Sequence, residues 1–326
     1  MIPLTRNSAV TQLDVALAER KLTPSAAENI RRWLSEPRYG EYAPQVAEHI
    51  AAGKWKELDD VFWTVIPFGT GGRRGRMYPI GCNAINDRTI GESAQGLAEY
   101  VKDVHVPSSE FKVHSSETAN SELRTRNSEL RCAIAYDTRH NSRRFAELCA
   151  SVMVANGFRV YFLDGFRSTP ELSFLVRHKQ CACGIMVTAS HNPPSDNAVK
   201  VYWSTGGQVI PPHDQGIVER VMNVQEIRRA DFGPAVAEGQ IVFCQAEIDA
   251  AFIQSVLGQR CPGPRALKIV YSPLHGVGEF AAVPALEADG FAEIEIFGPH
   301  REPSGDFPNV PGHVSNPENA AVFDAI

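Results

Sequence analysis

Apolar positions along the chain change their spacing from one region to the next, and the spacing predicts the elements. From residue 132 to 187, short apolar runs alternate with amphipathic stretches. Cys132–Tyr136, Phe158–Leu163 and Ala182–Val187 read as strands, and 142–156 and 170–179 as helices between them. Strands separated by helices of this length predict βαβ units around a largely parallel sheet. Residues 89–104, with Ile90, Ala94, Leu97, Ala98 and Val101 on one side, read as a further helix. A short strand is expected at Val199–Trp203 and a polar helix over 214–228.

Before residue 64 the apolar spacing is helical throughout. Thr23-Pro24 offers a cap with proline in the first turn, and Ala26, Ala27, Ile30, Trp33 and Leu34 follow it on one face. Gly53 breaks the next helix. Trp55, Leu58, Phe62 and Trp63 form another apolar face. After residue 245 one βαβ unit stands out, made of Leu267–Tyr271, a helix over 276–289, and Ala292–Phe297. Ser315 or Asn316 then caps an expected helix with Pro317 in its first turn, and the sequence stops on apolar Ile326 with no stop signal. The expected organisation is a helical extension over 1–63, an α/β domain over 64–212 and a second α/β domain over 213–326 that is incomplete. Residues 107–131 are polar and repeat NSELR at 120–124 and 127–131, which reads as a duplicated surface insertion.

Bulk composition narrows the chemistry. Of 326 residues, 43% are hydrophobic and 21% charged, enough to bury a sizeable core. A net charge of −6 argues against a nucleic-acid surface, which needs clustered Lys and Arg. No apolar run reaches the roughly 18 residues of a membrane span, and the N-terminus carries no apolar signal core. The seven cysteines include no CxxC pair, so a zinc site is not expected and a reducing, cytoplasmic setting is. Cys181 and Cys183, two apart, are expected to pack on one side of a strand.

The candidate chemistry lies in loops. Thr188-Ala189-Ser190-His191-Asn192-Pro193-Pro194 follows a strand end, where ligands gather in such sheets. Serine is a weak nucleophile unless activated or positioned. A Ser190–His191 hydrolase pair is disfavoured, because neighbours in extended backbone point apart and no G-x-S-x-G elbow surrounds the serine. A phosphoryl carrier fits better. Phosphoserine adds roughly −1.5 to −2 charges and needs nearby cations. Arg73, Arg74, Arg139 and Lys200 are available. Arg73 reads as a solvated loop charge. Asp137 and Arg139 read equally well as a structural pair or as substrate contacts, and His275 as a packed loop residue or a ligand. The glycines of Gly69-Thr70-Gly71-Gly72-Arg73-Arg74-Gly75 mark close backbone approach.

Six motifs in register resemble the phosphoglucomutase/phosphomannomutase superfamily. TASHNPPSDNAVKVY is similar to its phosphoserine loop and FGTGGRRG to its N-terminal F-G-T-x-G-x-R-G segment. AYDTRHNS, STPELSF, YSPLHGVG and DFPNVPGHVSNPEN resemble the segments that follow. The helical N-terminus is similar to the phosphoglucomutase/phosphopentomutase branch. The resemblance implies three-layer α/β/α domains and an intramolecular phosphotransferase working through a phosphoserine and a bisphosphate intermediate. It implies Ser190, His191, Lys200 and Arg74 as catalytic residues, and Thr70, Arg139, Asn192 and His275 as substrate contacts. It implies a phosphosugar substrate, no nucleic-acid or membrane partner, and magnesium bridging the phosphate on Ser190. The family's D-x-D-x-D-R metal loop has no counterpart here. The alternatives are an inactive phosphosugar-binding fragment and, from another class, a serine hydrolase. Neither the sugar nor the oligomeric state is legible.

Overall fold

The computed structural model describes residues 5–69, 71–105 and 129–326. The 107–131 insertion therefore lies almost wholly outside the described residues. Four helices come first: α1 (Arg6–Ala18), α2 (Pro24–Ser35), α3 (Ala43–Ala51) and α4 (Trp55–Phe62). They share a core of their own built from Leu13, Ile30, Trp33, Val46, Ile50, Leu58 and Phe62, closed by Ile80 and Ala84. The Thr23 side chain caps α2 by accepting from Ala26 N at 3.3 Å, with Pro24 in the first turn. Trp63 falls outside α4 and stays half-exposed rather than joining the apolar face.

The chain then builds a six-stranded sheet: β1 (Gly72–Arg76), β2 (Arg131–Tyr136), β3 (Arg159–Phe166), β4 (Cys183–Val187), β5 (Asp196–Trp203) and β6 (Ile241–Phe243). The strand order is β1-β5-β4-β2-β3-β6, and β5 alone runs against its neighbours. On one face pack α5 (Asp87–His105), α6 (Ser142–Ala155), α8 (His213–Asn223) and α9 (Phe232–Ala237); on the other pack α7 (Thr169–His178) and α10 (Gln245–Leu257). Side chains alternate between the layers as a period of two demands. Cys132, Ile134 and Tyr136 of β2 enter the first layer, and Ala133 and Ala135 the second.

Three expectations change here. Cys181 lies before β4 begins, so it packs in the α7 layer while Cys183 packs in the opposite one. The helix expected over 214–228 stops at Asn223, because the chain beyond it exchanges helical bonds for tertiary ones. Val224 O accepts from Arg88, Arg228 N donates to Gln95 Oε1, and Ala230 N donates to Ser151 O. The boundary expected at 212/213 falls inside a packed unit, since α8 packs on α5 and β6 pairs with β3. Hydrophobic spacing reveals a strand but not the sheet it will join.

The remaining chain forms a parallel pair, β7 (Lys268–Tyr271) and β8 (Glu293–Ile296), with α11 (Ala282–Ala288) between them. The helix is shorter than the 276–289 expected. Leu274 and His275 are left-handed, and Gly276 and Gly278 disfavour helix, so α11 begins only at Ala282. The helix expected after Pro317 is only a 3-10 turn, Ala320–Phe323, capped by Asn319. So short a segment does not meet the cost of α-helix nucleation.

Candidate active site

Strand β4 is buried along its whole length in the middle of the sheet, and the loop leaving it carries Ser190. Ser190 sits at φ 57°, a left-handed turn rather than extended backbone. The premise that Ser190 and His191 diverge along an extended chain therefore fails. The conclusion stands on other grounds, because among the described residues the Ser190 hydroxyl has no hydrogen-bond partner. Its side chain is exposed, and together with His191 it lines a cavity of about 370 Å³. Four loops close around this space: Asp137-Thr138, Ser168–Pro170, Pro273–Val277, and a segment containing Phe307, Ser315 and Pro317. Five of the six sequence motifs thus meet at one cavity. The sixth stands on the neighbouring strand β1.

The left-handed turn at Ser190 needs external support, since such a conformation is unfavourable for a non-glycine residue. Arg139 supplies it. Its Nε and Nη2 donate to Ser190 O at 3.0 and 2.6 Å, Nη1 to Pro193 O at 2.8 Å and Asp196 O at 3.1 Å, and Nη2 also to Asn192 O. The guanidinium is buried, lies 5.2 Å from the Phe307 ring, and has no donor left for a ligand. Arg139, expected as a substrate contact, clamps the loop in this structure. Asn192 is also turned to the loop, donating to Asp196 Oδ2 at 3.0 Å.

Asp137 anchors the clamp. Its Oδ1 accepts from Arg139 N at 3.0 Å and Ser142 Oγ at 2.7 Å, and its Oδ2 accepts from Thr188 Oγ1. Thr188 in turn accepts from Ser190 N at 2.8 Å. Burial pushes the Asp137 carboxyl above its ordinary range, and the bonds from Thr188, Ser142 and Arg139 oppose that shift. Asp137 and Thr188 position the serine, and nothing in their spacing of 51 residues announced it.

The cations come from strand register. Lys200 pairs with Met186 on one side and Gly72 on the other, and Arg74 pairs with Ala198. Paired residues share a face, so Arg74 and Lys200 stand on the face of Met186, which lines the cavity. Neither cation lines it itself. Gly72 leaves Lys200 room and also lets β1 approach β5, since a Cβ at Gly72 (φ 147°) would lie 2.0 Å from Val199 O. Burial first, then Arg74 and Arg139, lower the pKa of Lys200, and Asp137 partly offsets them. Among the described residues Lys200 has no carboxylate partner. The first turn of α7 reaches the same cavity through Thr169 and Pro170. Ser168 and Glu171 form its capping box.

Three expected residues take other places. His275 is buried, its Nδ1 bonded to Glu302 O at 2.8 Å and its Nε2 accepting from Asn309 N at 3.4 Å. Its carbonyl accepts from Thr138 Oγ1 at 3.1 Å. His275, expected as a substrate contact, holds the 273–277 loop against the first unit in this structure. Arg73 is not a solvated charge but fully buried against Glu92. Thr70 lies outside the described residues. For magnesium, no group of three acidic, His or Cys side chains occurs among the described residues, and Asp137 is fully engaged. These residues alone do not compose a magnesium site. Among the described residues no helix is long and apolar enough to cross a membrane.

Comparison with known proteins returns one family. Residues 110–228 match the model described as phosphoglucomutase/phosphomannomutase, alpha/beta/alpha domain I, and 250–326 match its domain II. A phosphoglucomutase of Staphylococcus saprophyticus is 31% identical over 82% of this chain and 45% of its own length. A phosphopentomutase of Homo sapiens is 29% identical over 88% of this chain and 45% of its own. The chain spans about half the length of the curated relatives it matches. A putative phosphomannomutase structure from Thermus thermophilus superposes with a TM-score of 0.58 at 21% identity, over 77% of this chain and 50% of that one. The last likeness bears on the fold.

Proposed function

This chain belongs to the phosphoglucomutase/phosphomannomutase family, and on that premise we propose that it is a sugar-phosphate mutase whose phosphoryl group rests on Ser190. The observation that carries the reading is the Ser190 hydroxyl, without a partner among the described residues and lining the cavity while its backbone is held by Arg139 and Thr188. A transferring group must be positioned before it can react, and phosphoryl transfer is mostly positioning and charge neutralisation.

In the proposed reaction a sugar-phosphate hydroxyl attacks the phosphorus on Ser190. The P–Oγ bond breaks, and the proton given up by the hydroxyl returns to Oγ. The bisphosphate turns in the cavity, Ser190 Oγ gives up its proton and attacks the other phosphorus, and the P–O bond to the sugar breaks, the sugar oxygen taking the proton as the isomeric sugar phosphate leaves. Lys200 suits the proton relay because its lowered pKa brings the neutral amine nearer working pH. His191, beside Ser190 on the cavity wall, is the other candidate. Arg74 offsets the charge. The substrate is a hexose 1-/6- or pentose 1-/5-phosphate; relatives named for both sugars match comparably. The chemistry of a magnesium ion would be neutralisation of the migrating phosphoryl group, and no step is assigned to it. All seven cysteines are free and six are buried, which supports a reducing, cytoplasmic setting.

The test is phosphate transfer to the protein. Incubation with glucose 1,6-bisphosphate should add one phosphate to the intact mass, mapped to Ser190, and Ser190→Ala should abolish it. An unlabelled wild type, or a labelled variant, overturns the mechanism. A second reading is phosphosugar binding without turnover, since among the described residues no cluster of carboxylates gathers at the cavity. A coupled assay for glucose 6-phosphate formed from glucose 1-phosphate separates the two.

A further inference from the structure

Strand β1 carries two adjacent arginines on opposite faces. Arg74 faces the active-site side, and Arg73, opposite Val199, points into the layer of α5 and α8. Arg73 is 1% exposed. Its Nη1 donates to Glu92 Oε2 at 2.7 Å and to Thr89 O at 3.0 Å. Its Nη2 reaches only Met222 Sδ, at 3.5 Å, a weak acceptor. Its Nε–H is buried and has no partner among the described residues.

The local charge does not balance either. Glu92 also accepts from Arg88 Nε at 2.7 Å, so one buried carboxylate serves two buried guanidiniums. The remaining Arg88 donors go to the carbonyls of Arg38 and Val224. Among the described residues one buried positive charge is left without a counter-charge, an expensive arrangement. A cavity of about 130 Å³ opens beside it, lined by Arg73, Arg32, Arg38, Asn29, Trp33 and Glu92, among others. Arg32 and Arg38 pair outward with Glu28 and Glu36, so Glu92 is the one acid on the wall. The volume corresponds to about four waters at about 30 Å³ each. A water could satisfy Nε–H but not the charge.

We propose that this cavity binds a small free oxyanion of the inorganic phosphate class, held on Arg73 between the helical extension and the first sheet. The ion would bond the orphaned Nε–H and neutralise the surplus charge. The site stands directly behind the strand that presents Arg74, on the face away from Ser190.

The test measures phosphate binding to the 326-residue chain carrying Arg74→Ala and Lys200→Ala, which removes the active-site cations. Calorimetry and thermal melting at matched ionic strength should show one phosphate bound and a phosphate-dependent rise in Tm. Adding Arg73→Met should weaken binding about tenfold or more, the effect of losing one charge-assisted contact. Inorganic phosphate should bind more tightly than glucose 6-phosphate, which the volume does not admit. No phosphate-specific binding, equal binding by the Arg73→Met protein, or preference for the sugar phosphate would each overturn the site. If Arg73→Met does not fold, Arg73→Lys, which keeps the charge and loses the Nε–H, decides. It should weaken binding severalfold, and unchanged affinity refutes the proposal.

Discussion

The cavity has two walls of similar construction and different consequence. One is the 188–195 loop after β4, the other the 272–277 loop after β7. Each leaves a strand end, each holds non-glycine residues in left-handed backbone, and each is fastened by a buried polar side chain. Behind the first is a strand buried over its whole length; behind the second is a strand of a two-stranded sheet, alternately exposed. The first loop is gripped at its backbone carbonyls by Arg139, and its Thr188 and Asn192 side chains bond to Asp137 and Asp196, which leaves the Ser190 hydroxyl over. The second spends the His275 ring itself on holding the loop. Motif membership does not separate chemistry from scaffolding here. Whether a side chain still has an unspent donor or acceptor does.

That contrast can be broken most forcefully at Arg139. Arg139→Met removes the clamp and leaves Asp137 buried without its cation. The expected cost is about 3–5 kcal/mol by urea unfolding, the usual effect of stranding a buried charge. Phosphate labelling of Ser190 should fall with it, even at temperatures where the variant remains folded. A variant as stable as the wild type would show that the loop holds itself.

On the other wall, His275→Asn tolerates the left-handed backbone and loses the two ring contacts. A destabilisation of about 1–3 kcal/mol is expected, with Ser190 still accepting phosphate. Loss of labelling in a folded, stable variant would restore His275 to the chemistry.

A smaller, pH-dependent effect marks Asp137. Its folded pKa is raised, so between its unfolded value near 4 and its folded value the native state holds more protons than the unfolded one. The contribution of Asp137 to stability therefore falls as pH rises through that window. Asp137→Asn should remove this slope, seen as a difference between the two unfolding profiles. Identical slopes would mean that Thr188, Ser142 and Arg139 fully offset the burial.

The smallest effect concerns Lys200. Its lowered pKa should let it react with an amine-directed acylating reagent at a lower pH than the exposed Lys268. Bound sugar phosphate should protect it. Equal reactivity of the two lysines would remove the case for Lys200 as the proton relay.

Much of this was legible in the residues. Alternating apolar runs located β2, β3 and β4 to within a few residues, and Thr23-Pro24 marked the start of α2. The TASHNPP loop singled out Ser190, which the fold sets at the cavity. Other features were not, because they depend on partners far away in the chain. Arg73 and Arg139 are both arginines in glycine- or turn-rich loops, and no local rule says that one faces Glu92 and the other grips the carbonyls of residues 190–196.

Local sequence determined which stretches become strands and helices and which turn-rich loop carries Ser190, since backbone preference and hydrophobic period act over a few residues. Tertiary structure decided that β6 joins the first sheet, that it is Arg73 and not Arg74 that meets Glu92, and that His275 is spent on holding a loop. Those outcomes are set by strand register and by which buried polar groups find partners. Both depend on contacts between residues tens of positions apart, where a period of two or 3.6 carries no information.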